Sequence, residues 1–394
     1  MLRFLTAGES HGPSLTAILE GMPAGLPISS AEIDHDLARR QQGYGSGGRM
    51  KIERDHARIT AGVMDGKTTG GPIALIVENL DYPKWRDRDI EPMTIPRPGH
   101  ADLTGTVKYG YRELRLALER ASARETTMRV AVGAVCRALL REFNIVVGGY
   151  VLSIGDVSVS GHTSVLEAAV YRERFARAEA SDVRCYDPHA AEQMRALIRQ
   201  TMEARDTLGG VIEVVALGVP PGLGSHVHWD RRLSGRLAQA VMSIHAVKGV
   251  EIGDGFAEAR LPGTLAQDQL YLDGDAIRQR TNRAGGLEGG ISNGAPIVIR
   301  AALKPIATTL NPLDSVDLST GQAVKTKYER SDFCQVPRAV PIVEAMVCFA
   351  LADALIEKLG GDSLEEMRPR FAALRRLRLA DLLMDNRPWR FGYE

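Results

Sequence analysis

Strand-like segments outnumber helical patterns along this sequence, and that proportion limits the folds open to it. Segments rich in β-branched residues predict strands at 58–62, 73–78, 146–154, 210–217 and 296–302. Capping boxes begin two predicted helices, at Ser29 and Ser122, and two more helices are predicted at 230–246 and 341–359. Helices interleave with strands but are too few to cover both faces of a doubly wound sheet. The sequence therefore predicts an α+β fold in which sheets and helices form layers.

The charge balance excludes proteins that hold polyanions by their overall charge. The 394 residues include 49 basic and 49 acidic side chains, so any anion must be bound by a local cluster. The four cysteines form no Cys-x-x-Cys pair, which indicates reduced thiols and no zinc site. Glu344 and Asp353 interrupt the longest apolar run, 339–356, and the N-terminus does not resemble a signal peptide. We expect a cytoplasmic enzyme or assembly subunit, with no nucleic acid or membrane as a partner.

Three motif-like stretches lack the context that their chemistry requires. Residues 43–48 match G-x-G-x-x-G, but a predicted helix precedes them and a strand-like run follows, the reverse of a dinucleotide-binding unit. Residues 61–68 resemble a P-loop that runs into a strand, so a turn between two strands is the better interpretation. His226, His228 and Asp230 form a weak metal motif, and a polar loop before a helix is favoured there. No metal site is predicted.

Three separated segments combine acid–base groups with groups that bind anions. Ser10 and His11 lie in a glycine-flanked turn, and histidine titrates near neutral pH. His100 lies near the end of the stretch 80–105, which is proline-rich and aperiodic and therefore reads as a functional loop. Asp332 precedes the last predicted helix. Each segment alone also has a plain structural explanation, either a surface histidine in a turn or an N-cap for the helix.

Basic residues are concentrated near these segments. A guanidinium group beside free amides at a helix start favours an oxyanion, whereas a single arginine can also be explained by solvation or the helix dipole. Arg129 is the hardest to explain in that way, because it lies in an otherwise apolar helix. The sequence therefore predicts a small substrate with several anionic groups. The two clusters are Arg39, Arg40, Arg49, Lys51, Arg54 and Arg58, and Arg112, Arg115, Arg120, Arg124 and Arg129.

The residues of six motifs, and their order along the chain, resemble those of the chorismate synthase family. Three of them match the family's signatures: GESHGPSLTAILEGMP at 8–23, ERASARETTMRV at 119–130, and RSDFC at 330–334, which nine residues separate from Glu344-Ala345. The segments 97–102, 245–255 and 281–290 belong to the same pattern. The resemblance extends over nearly the whole chain.

This resemblance implies the last common step of the shikimate pathway, in which 5-enolpyruvylshikimate 3-phosphate becomes chorismate and phosphate. One phosphate and two carboxylates on that substrate would account for the arginines. Phosphate and a C6 proton would leave in a 1,4-anti sense, assisted by transient electron donation from reduced FMN without net redox change. The resemblance also implies NADPH as a candidate reductant, a homotetramer, and one domain over residues 1–394. Its fold would be a β-α-β sandwich, with antiparallel sheets layered around a helical core.

The resemblance also assigns roles to residues. His11 would protonate the leaving phosphate, His100 would tune the protonation of the flavin, and Asp332, relayed through Ser10, would assist flavin N5. Substrate anions or the phosphate of NADPH would contact Arg40, Arg49, Arg124 and Arg129. Flavin contacts would come from Arg120, Ala121, Ser122, His245, Ala246, Gly289, Lys304, Pro305, Ile306, Ala307, Thr308 and Arg330.

Two residues depart from the family pattern, and two other functions remain to be distinguished. Ser46 stands where many members have Arg, which weakens a nicotinamide assignment there, and Phe333 replaces a frequent Pro, which changes the turn after Asp332. A flavin reductase-like enzyme would consume NADPH in step with its product. A polyanion-binding module would show a strongly salt-dependent affinity and would leave the histidines without a role.

Overall fold

The computed structural model describes residues 1–45, 54–329 and 331–393. The strands are β1 Arg3–Ala7, β2 Ser14–Glu20, β3 Ala57–Ala61, β4 Val63–Met64, β5 Lys67–Thr68, β6 Ile73–Glu78, β7 Val146–Ile154, β8 Val157–Ser158, β9 Gly210–Leu217, β10 Val247–Ile252, β11 Leu270–Asp273, β12 Ala276–Gln279, β13 Leu287–Glu288, β14 Ile291–Ser292, β15 Ile297–Leu303, β16 Asp314–Asp317 and β17 Gln322–Lys325. The helices are α1 Ser30–Gln41, α2 Asp102–Tyr109, α3 Arg115–Ala121, α4 Thr126–Glu142, α5 Ala168–Glu179, α6 Pro188–Glu203, α7 Leu233–Met242, α8 Gly255–Glu258, α9 Gly263–Ala266, α10 Val336–Leu359 and α11 Leu364–Ala372.

Two antiparallel sheets form the outer layers of the core. The four-stranded sheet has the order β1-β2-β6-β3, and the five-stranded sheet has the order β10-β15-β9-β7-β8. In β6 every second side chain, from Ile73 through Leu75 to Val77, is fully buried. This alternation places one face of the four-stranded sheet on the core, as expected for an antiparallel sheet with one covered face.

Helices α4 and α10 form the layer between the sheets. They pack against each other, α4 also contacts β2 and β6, and α10 contacts β7 and β9. Their close approach depends on Gly133, because a Cβ atom there would lie 2.3 Å from the Cβ of Ala345. One cluster of buried apolar side chains extends from Leu2 to Met367. The predicted α+β fold, with antiparallel sheets around a helical core, is confirmed.

The local sequence signals agree with the structure to different degrees. The strands predicted at 73–78, 146–154 and 210–217 have the observed bounds, and the other two are displaced by one residue. The capping box at Ser29 is formed, since its side chain accepts from the Glu32 amide and Glu32 accepts from the Ser29 amide. Residues 63–68 form the β4–β5 hairpin, so the interpretation of residues 61–68 as a turn between strands is confirmed. Residues 46–48 of the 43–48 motif lie outside the described residues.

The prediction of a capping box at Ser122 was wrong. Its hydroxyl accepts from the Arg124 amide, and a short 3-10 turn at Ala123–Glu125 precedes α4. The Glu125 carboxylate does not return to the cap, because it binds Thr6 at 2.8 Å and Arg129 at 2.9 Å. Tertiary partners therefore replace the reciprocal hydrogen bond that the local pattern predicts.

The bounds predicted for two helices also need correction. The helix expected at 230–246 is shorter, because a 3-10 turn at Trp229–Arg231 precedes α7. Helix α10 begins at Val336, five residues before the predicted start, and contains Pro341 in its interior. Proline lacks an amide donor and normally breaks a helix, but α10 is buried along most of its length, so packing outweighs that loss.

Helix α10 is also, among the described residues, the one helix long and apolar enough to span a membrane by length and composition. However, 83% of its apolar window is buried inside the structure. It is the central helix of the core, and a core helix passes the same test.

Candidate active site

A cavity of about 630 Å³ opens where the β1–β2 turn, the 80–105 segment, α3 and the start of α10 meet. Its volume is typical of pockets for small molecules, roughly 300–1,000 Å³. Three histidines line it, and its described lining carries eight cationic and three acidic side chains. The histidines are His11, His100 and His245, the cations are Arg40, Lys84, Arg88, Arg97, Arg115, Arg124, Lys304 and Arg338, and the acids are Asp81, Glu329 and Asp332.

His11 is held at one wall by α3. Its Nδ1 lies 2.8 Å from Oε1 of Glu119, and its backbone amide donates to Oε2 of the same carboxylate at 2.8 Å. The Trp85 ring lies against the imidazole with 4.6 Å between the ring centroids. Burial by itself would raise the pKa of Glu119, but the hydrogen bonds from His11 outweigh it and lower that pKa.

His100 is held in a similar way by Asp102, the first residue of α2. Its Nδ1 lies 2.5 Å from Oδ1 of Asp102, and Arg97 donates to both oxygens of the same carboxylate. Asp102 has no exposed surface, and burial would raise its pKa, but the hydrogen bonds from His100 and Arg97 hold the pKa well below its usual range. Arg97 also donates to Thr308 at 3.2 Å, which joins the loop to the segment after β15.

His245 differs from the other two histidines because its Nδ1 has no hydrogen-bond partner among the described residues, although that atom is buried. Burial lowers the pKa of His245, and Glu125, 3.9 Å away, opposes the shift. The next residue, Ala246, has a φ of 67°. This left-handed conformation costs an L-residue roughly 1–2 kcal/mol, and the Ala246 carbonyl accepts from the Lys304 amide at 3.0 Å. An imposed backbone conformation beside an unpaired buried nitrogen is typical of a ligand site.

Two buried arginines lie at the base of the cavity, close to the start of α4. Nη1 of Arg124 donates to both carboxylate oxygens of Asp55, at 2.6 and 2.8 Å, and its Nε donates to Asn79 at 2.9 Å. Arg40, near the end of α1, donates to Thr126 and to the Ala123 carbonyl, each at 3.0 Å. These contacts hold both guanidinium groups in place before any ligand binds.

Ser10 and Asp332 line the cavity from different segments. Ser10 is buried and accepts a hydrogen bond from Ser122 at 3.1 Å. Asp332 pairs with Arg338, whose Nε also donates to the Arg40 carbonyl at 3.1 Å. The N-cap of α10 is Gln335, so Asp332 is not the cap that its position before a helix suggested. A relay between Ser10 and Asp332 stays a prediction.

Most, but not all, of the site residues predicted from the sequence line the cavity. Ala121, Ser122 and residues 304–308 line it with the histidines. Arg120 does not, and donates instead to the Thr6 carbonyl at 3.0 Å. Arg129 pairs with Glu125 and bonds to Ser243, and Gly289 is exposed in the β13–β14 turn. Arg49 and Arg330 lie outside the described residues.

Several lining residues were not identified as site residues from the sequence. Lys84, Trp85 and Arg88 come from the 80–105 segment, whose length and composition did indicate function. Arg115 was noted only as a member of a basic cluster. Arg338 gave no signal of its own, because its role depends on contacts with Asp332 and with the distant Arg40 carbonyl.

The layered fold and this cavity together define a class of protein: an enzyme that holds a small, multiply anionic molecule among histidine–carboxylate pairs. Comparisons with known proteins identify the family. A family model described as chorismate synthase matches residues 2–356. Chorismate synthase of Trichlorobacter lovleyi is 52% identical over 384 residues, covering 93% of this chain and 97% of that protein. The Aquifex aeolicus enzyme is 52% identical over 386 residues, covering 94% and 96%.

A solved structure agrees with these relatives. A crystal structure of a chorismate synthase matches this chain with a TM-score of 0.79 and 46% identity, covering 94% of this chain and 96% of that one. The chain belongs to the chorismate synthase family. It is a lyase of the shikimate pathway that converts 5-enolpyruvylshikimate 3-phosphate to chorismate and phosphate, and the family has a flavin requirement.

Proposed function

We propose that the cavity binds the substrate and reduced FMN side by side and that its own side chains carry out the proton transfers of the elimination. The observation that supports this most directly is the convergence of three histidines and eight cationic side chains on one cavity of about 630 Å³. The three anionic groups of the substrate and the phosphate of FMN need such a cluster, because the chain as a whole has no net charge.

The residues of the cavity fit a flavin. The buried Nδ1 of His245 needs a hydrogen-bond partner, which the polar edge of a flavin ring would provide. Residues 304–308, with Ala121, Ser122 and Ala246, would form the adjoining wall. When bound, the reduced flavin would supply the transient electron density that assists departure of phosphate. The protein orients the reactants and moves protons.

The arginines at the base of the cavity would bind the substrate anions. Arg40 and Arg124 are already oriented by Asp55 and by groups at the start of α4, so little side-chain entropy is lost when an anion binds. We assign Arg49 and Arg129 to the same anions or to the phosphate of NADPH. Arg120, Gly289 and Arg330 remain assigned to the flavin.

The proton transfers would be divided between the two sides of the cavity. His11, as imidazolium, would donate the proton on Nε2 to the departing phosphate oxygen, leaving a neutral ring that keeps its Nδ1 proton. His100, held by Asp102, would tune the protonation of the flavin. Asp332, relayed through Ser10, would assist flavin N5, the atom at which the C6 proton would be accepted.

The wider context of the enzyme is also part of this proposal. We assign it reduced FMN with NADPH as a candidate reductant, a homotetrameric assembly, a cytoplasmic location and a single functional domain over residues 1–394. The continuous apolar cluster from Leu2 to Met367 supports the single domain.

The proposal is tested with purified protein under anaerobic conditions. The enolpyruvyl phosphate substrate and chemically reduced FMN are added, and chorismate is followed by its absorbance. We expect many turnovers without net flavin oxidation. A His228→Ala variant is the control, because that histidine is exposed and lies outside the cavity lining. Absence of chorismate, or oxidation of one FMN for each chorismate formed, would contradict the proposal.

A further inference from the structure

We propose that Glu119 is a positioning residue for His11: it fixes the ring with Nε2 toward the cavity and keeps the proton on Nδ1. This inference rests on the proposed role of His11 as a proton donor. Glu119 itself does not line the cavity, so it would act through His11 and not by touching the ligands.

Glu119 holds the Ser10–His11 turn at three points. Its backbone carbonyl accepts from the Ser10 amide at 3.1 Å, and its Oε2 accepts from the His11 amide at 2.8 Å. Its Oε1 lies 2.8 Å from His11 Nδ1. The carboxylate therefore ties the imidazole to the backbone of the same residue, across 108 positions of the chain.

The contact between the Glu119 carboxylate and Nδ1 determines which nitrogen of the His11 ring carries the proton. Hydrogen bonds from His11 keep the pKa of Glu119 below its ordinary value, so the carboxylate is an acceptor near neutral pH. An ionised carboxylate can only accept, and Nδ1 must therefore be the donor in either charge state of the ring. Nε2 is left as the nitrogen that exchanges a proton with a ligand.

The Trp85 ring restricts the remaining freedom of the imidazole. It lies at 57° to His11, so the histidine is held in its plane by Glu119 and across its face by Trp85. His100 and Asp102 repeat the Nδ1–carboxylate contact at the other side of the cavity. Carboxylates that orient metal-binding histidines through the same contact commonly contribute about 10- to 100-fold to affinity or activity, and we take that scale for His11.

The experiment compares Glu119→Gln and Glu119→Ala in wild-type and His11→Ala backgrounds. Glu119→Gln preserves shape but loses one of the two acceptor oxygens, so we expect kcat to fall about 10- to 100-fold, while KM and FMN affinity change less than about twofold. In the His11→Ala background Glu119→Gln should lower kcat no further. Glu142→Gln is the matched control, because it removes a similarly half-buried carboxylate from its arginine partner far along α4.

A spectroscopic measurement makes the test independent of turnover. With ¹⁵N-labelled histidine, neutral His11 should be the Nδ1–H tautomer in the wild type, and the Nε2–H form should grow in Glu119→Ala. The inference would be overturned by an unchanged kcat in Glu119→Gln, or by an unchanged tautomer in Glu119→Ala. It would also be overturned if Glu119→Gln lowered kcat as much in the His11→Ala background as in the wild type. Normal turnover of His11→Ala would instead contradict the proposed role of His11 as proton donor. The tautomer of His11 in Glu119→Ala would then still decide whether Glu119 positions the ring.

Discussion

At the scale of single residues, the three histidines of the cavity differ in what surrounds them. His11 and His100 each hold a carboxylate through Nδ1, at 2.8 and 2.5 Å. The Nδ1 of His245 lies farther from its carboxylate neighbour, 3.9 Å from Glu125, and burial lowers the pKa of His245. Residues of one type therefore differ in their surroundings: His11 and His100 each have a ring nitrogen engaged by a carboxylate, whereas burial of His245 favours its neutral ring.

Removal of either paired histidine should abolish most of the turnover. His11→Ala and His100→Ala should fold normally and lose about 10²- to 10⁴-fold in kcat, the usual contribution of positioned proton transfer. Steady-state kinetics at saturating substrate measure the loss, and His228→Ala serves as the exposed control. Near-normal turnover in either variant would remove that histidine from the mechanism.

Asp332→Asn separates a proton acceptor from a purely structural carboxylate. The asparagine oxygen can still accept from Arg338, so melting temperature and ligand affinity should be almost unchanged. It cannot accept a proton, so turnover should fall at least about a hundredfold. Asp254→Asn is the control, since that carboxylate has similar exposure and also pairs with an arginine, Arg283. A stable and active Asp332→Asn enzyme would assign Asp332 a structural role only.

Asp102 should make the stability of the enzyme depend on acid pH. Its folded pKa lies below the ordinary value of 3.8, so the unfolded chain binds more protons in that range and stability is lost as pH falls. Between about pH 5 and pH 2, the melting temperature of the wild type should therefore fall more steeply than that of Asp102→Asn. Parallel curves by differential scanning calorimetry would contradict this assignment.

At the scale of elements, the 80–105 segment connects the sheet to the wall of the cavity. Asp81 anchors it, because its carboxylate binds Lys84 at 2.7 Å and the Trp85 indole at 3.1 Å. The segment continues as a loop and ends at α2, where Asp102 holds His100. Three of its basic side chains, Lys84, Arg88 and Arg97, line the cavity in which the ligands would lie.

Ligands should protect this segment cooperatively. FMN and substrate would each order part of the loop, so the second ligand binds to a partly ordered site and the two affinities are positively coupled. Limited trypsin digestion at Lys84, Arg86 and Arg88 should be slowed by each ligand. With both ligands present, the slowing should exceed the combined slowing measured for FMN alone and for substrate alone. Equal protection by either ligand alone would argue against coupling.

At the scale of the whole molecule, the contact between α4 and α10 determines the spacing of the layers. Gly133 allows the two helices to touch, and both helices contact β7 of the larger sheet. The cavity is attached to the same helices, with Arg124 just before α4 and Arg338 in the first turn of α10. A change in helix spacing would therefore alter the site as well as the core.

Gly133→Ala should destabilise the protein despite the better helix propensity of alanine. The added Cβ would lie 2.3 Å from Ala345, and such overpacking typically costs about 1–3 kcal/mol. In α7, by contrast, a Cβ at Gly235 meets nothing closer than 3.9 Å, so Gly235→Ala should stabilise by roughly 0.4–1 kcal/mol. Urea unfolding of both variants measures the two effects, and equal midpoints would refute the packing argument.

The sequence by itself determined the local elements and the chemistry of this enzyme. Strands such as 73–78 follow from β-branched periodicity, and the Ser29 cap follows from a pattern four residues long. The family motifs pointed to His11, His100 and Asp332, which all line the cavity, because glycine-flanked and charged turns are readable without long-range contacts. Such signals lie within a few residues of the atoms that they position.

Only the tertiary structure decided which of these groups act together. Glu119 reaches His11 across 108 residues, and Arg338 reaches the Arg40 carbonyl across 298, separations for which the chain carries no local pattern. The early start of α10 has the same origin, because burial of Val336 and its neighbours outweighs the proline signal. Local propensities are worth tenths of a kcal/mol per residue, whereas burial of one large apolar side chain contributes about 1.5–3 kcal/mol, so packing prevails where the two disagree.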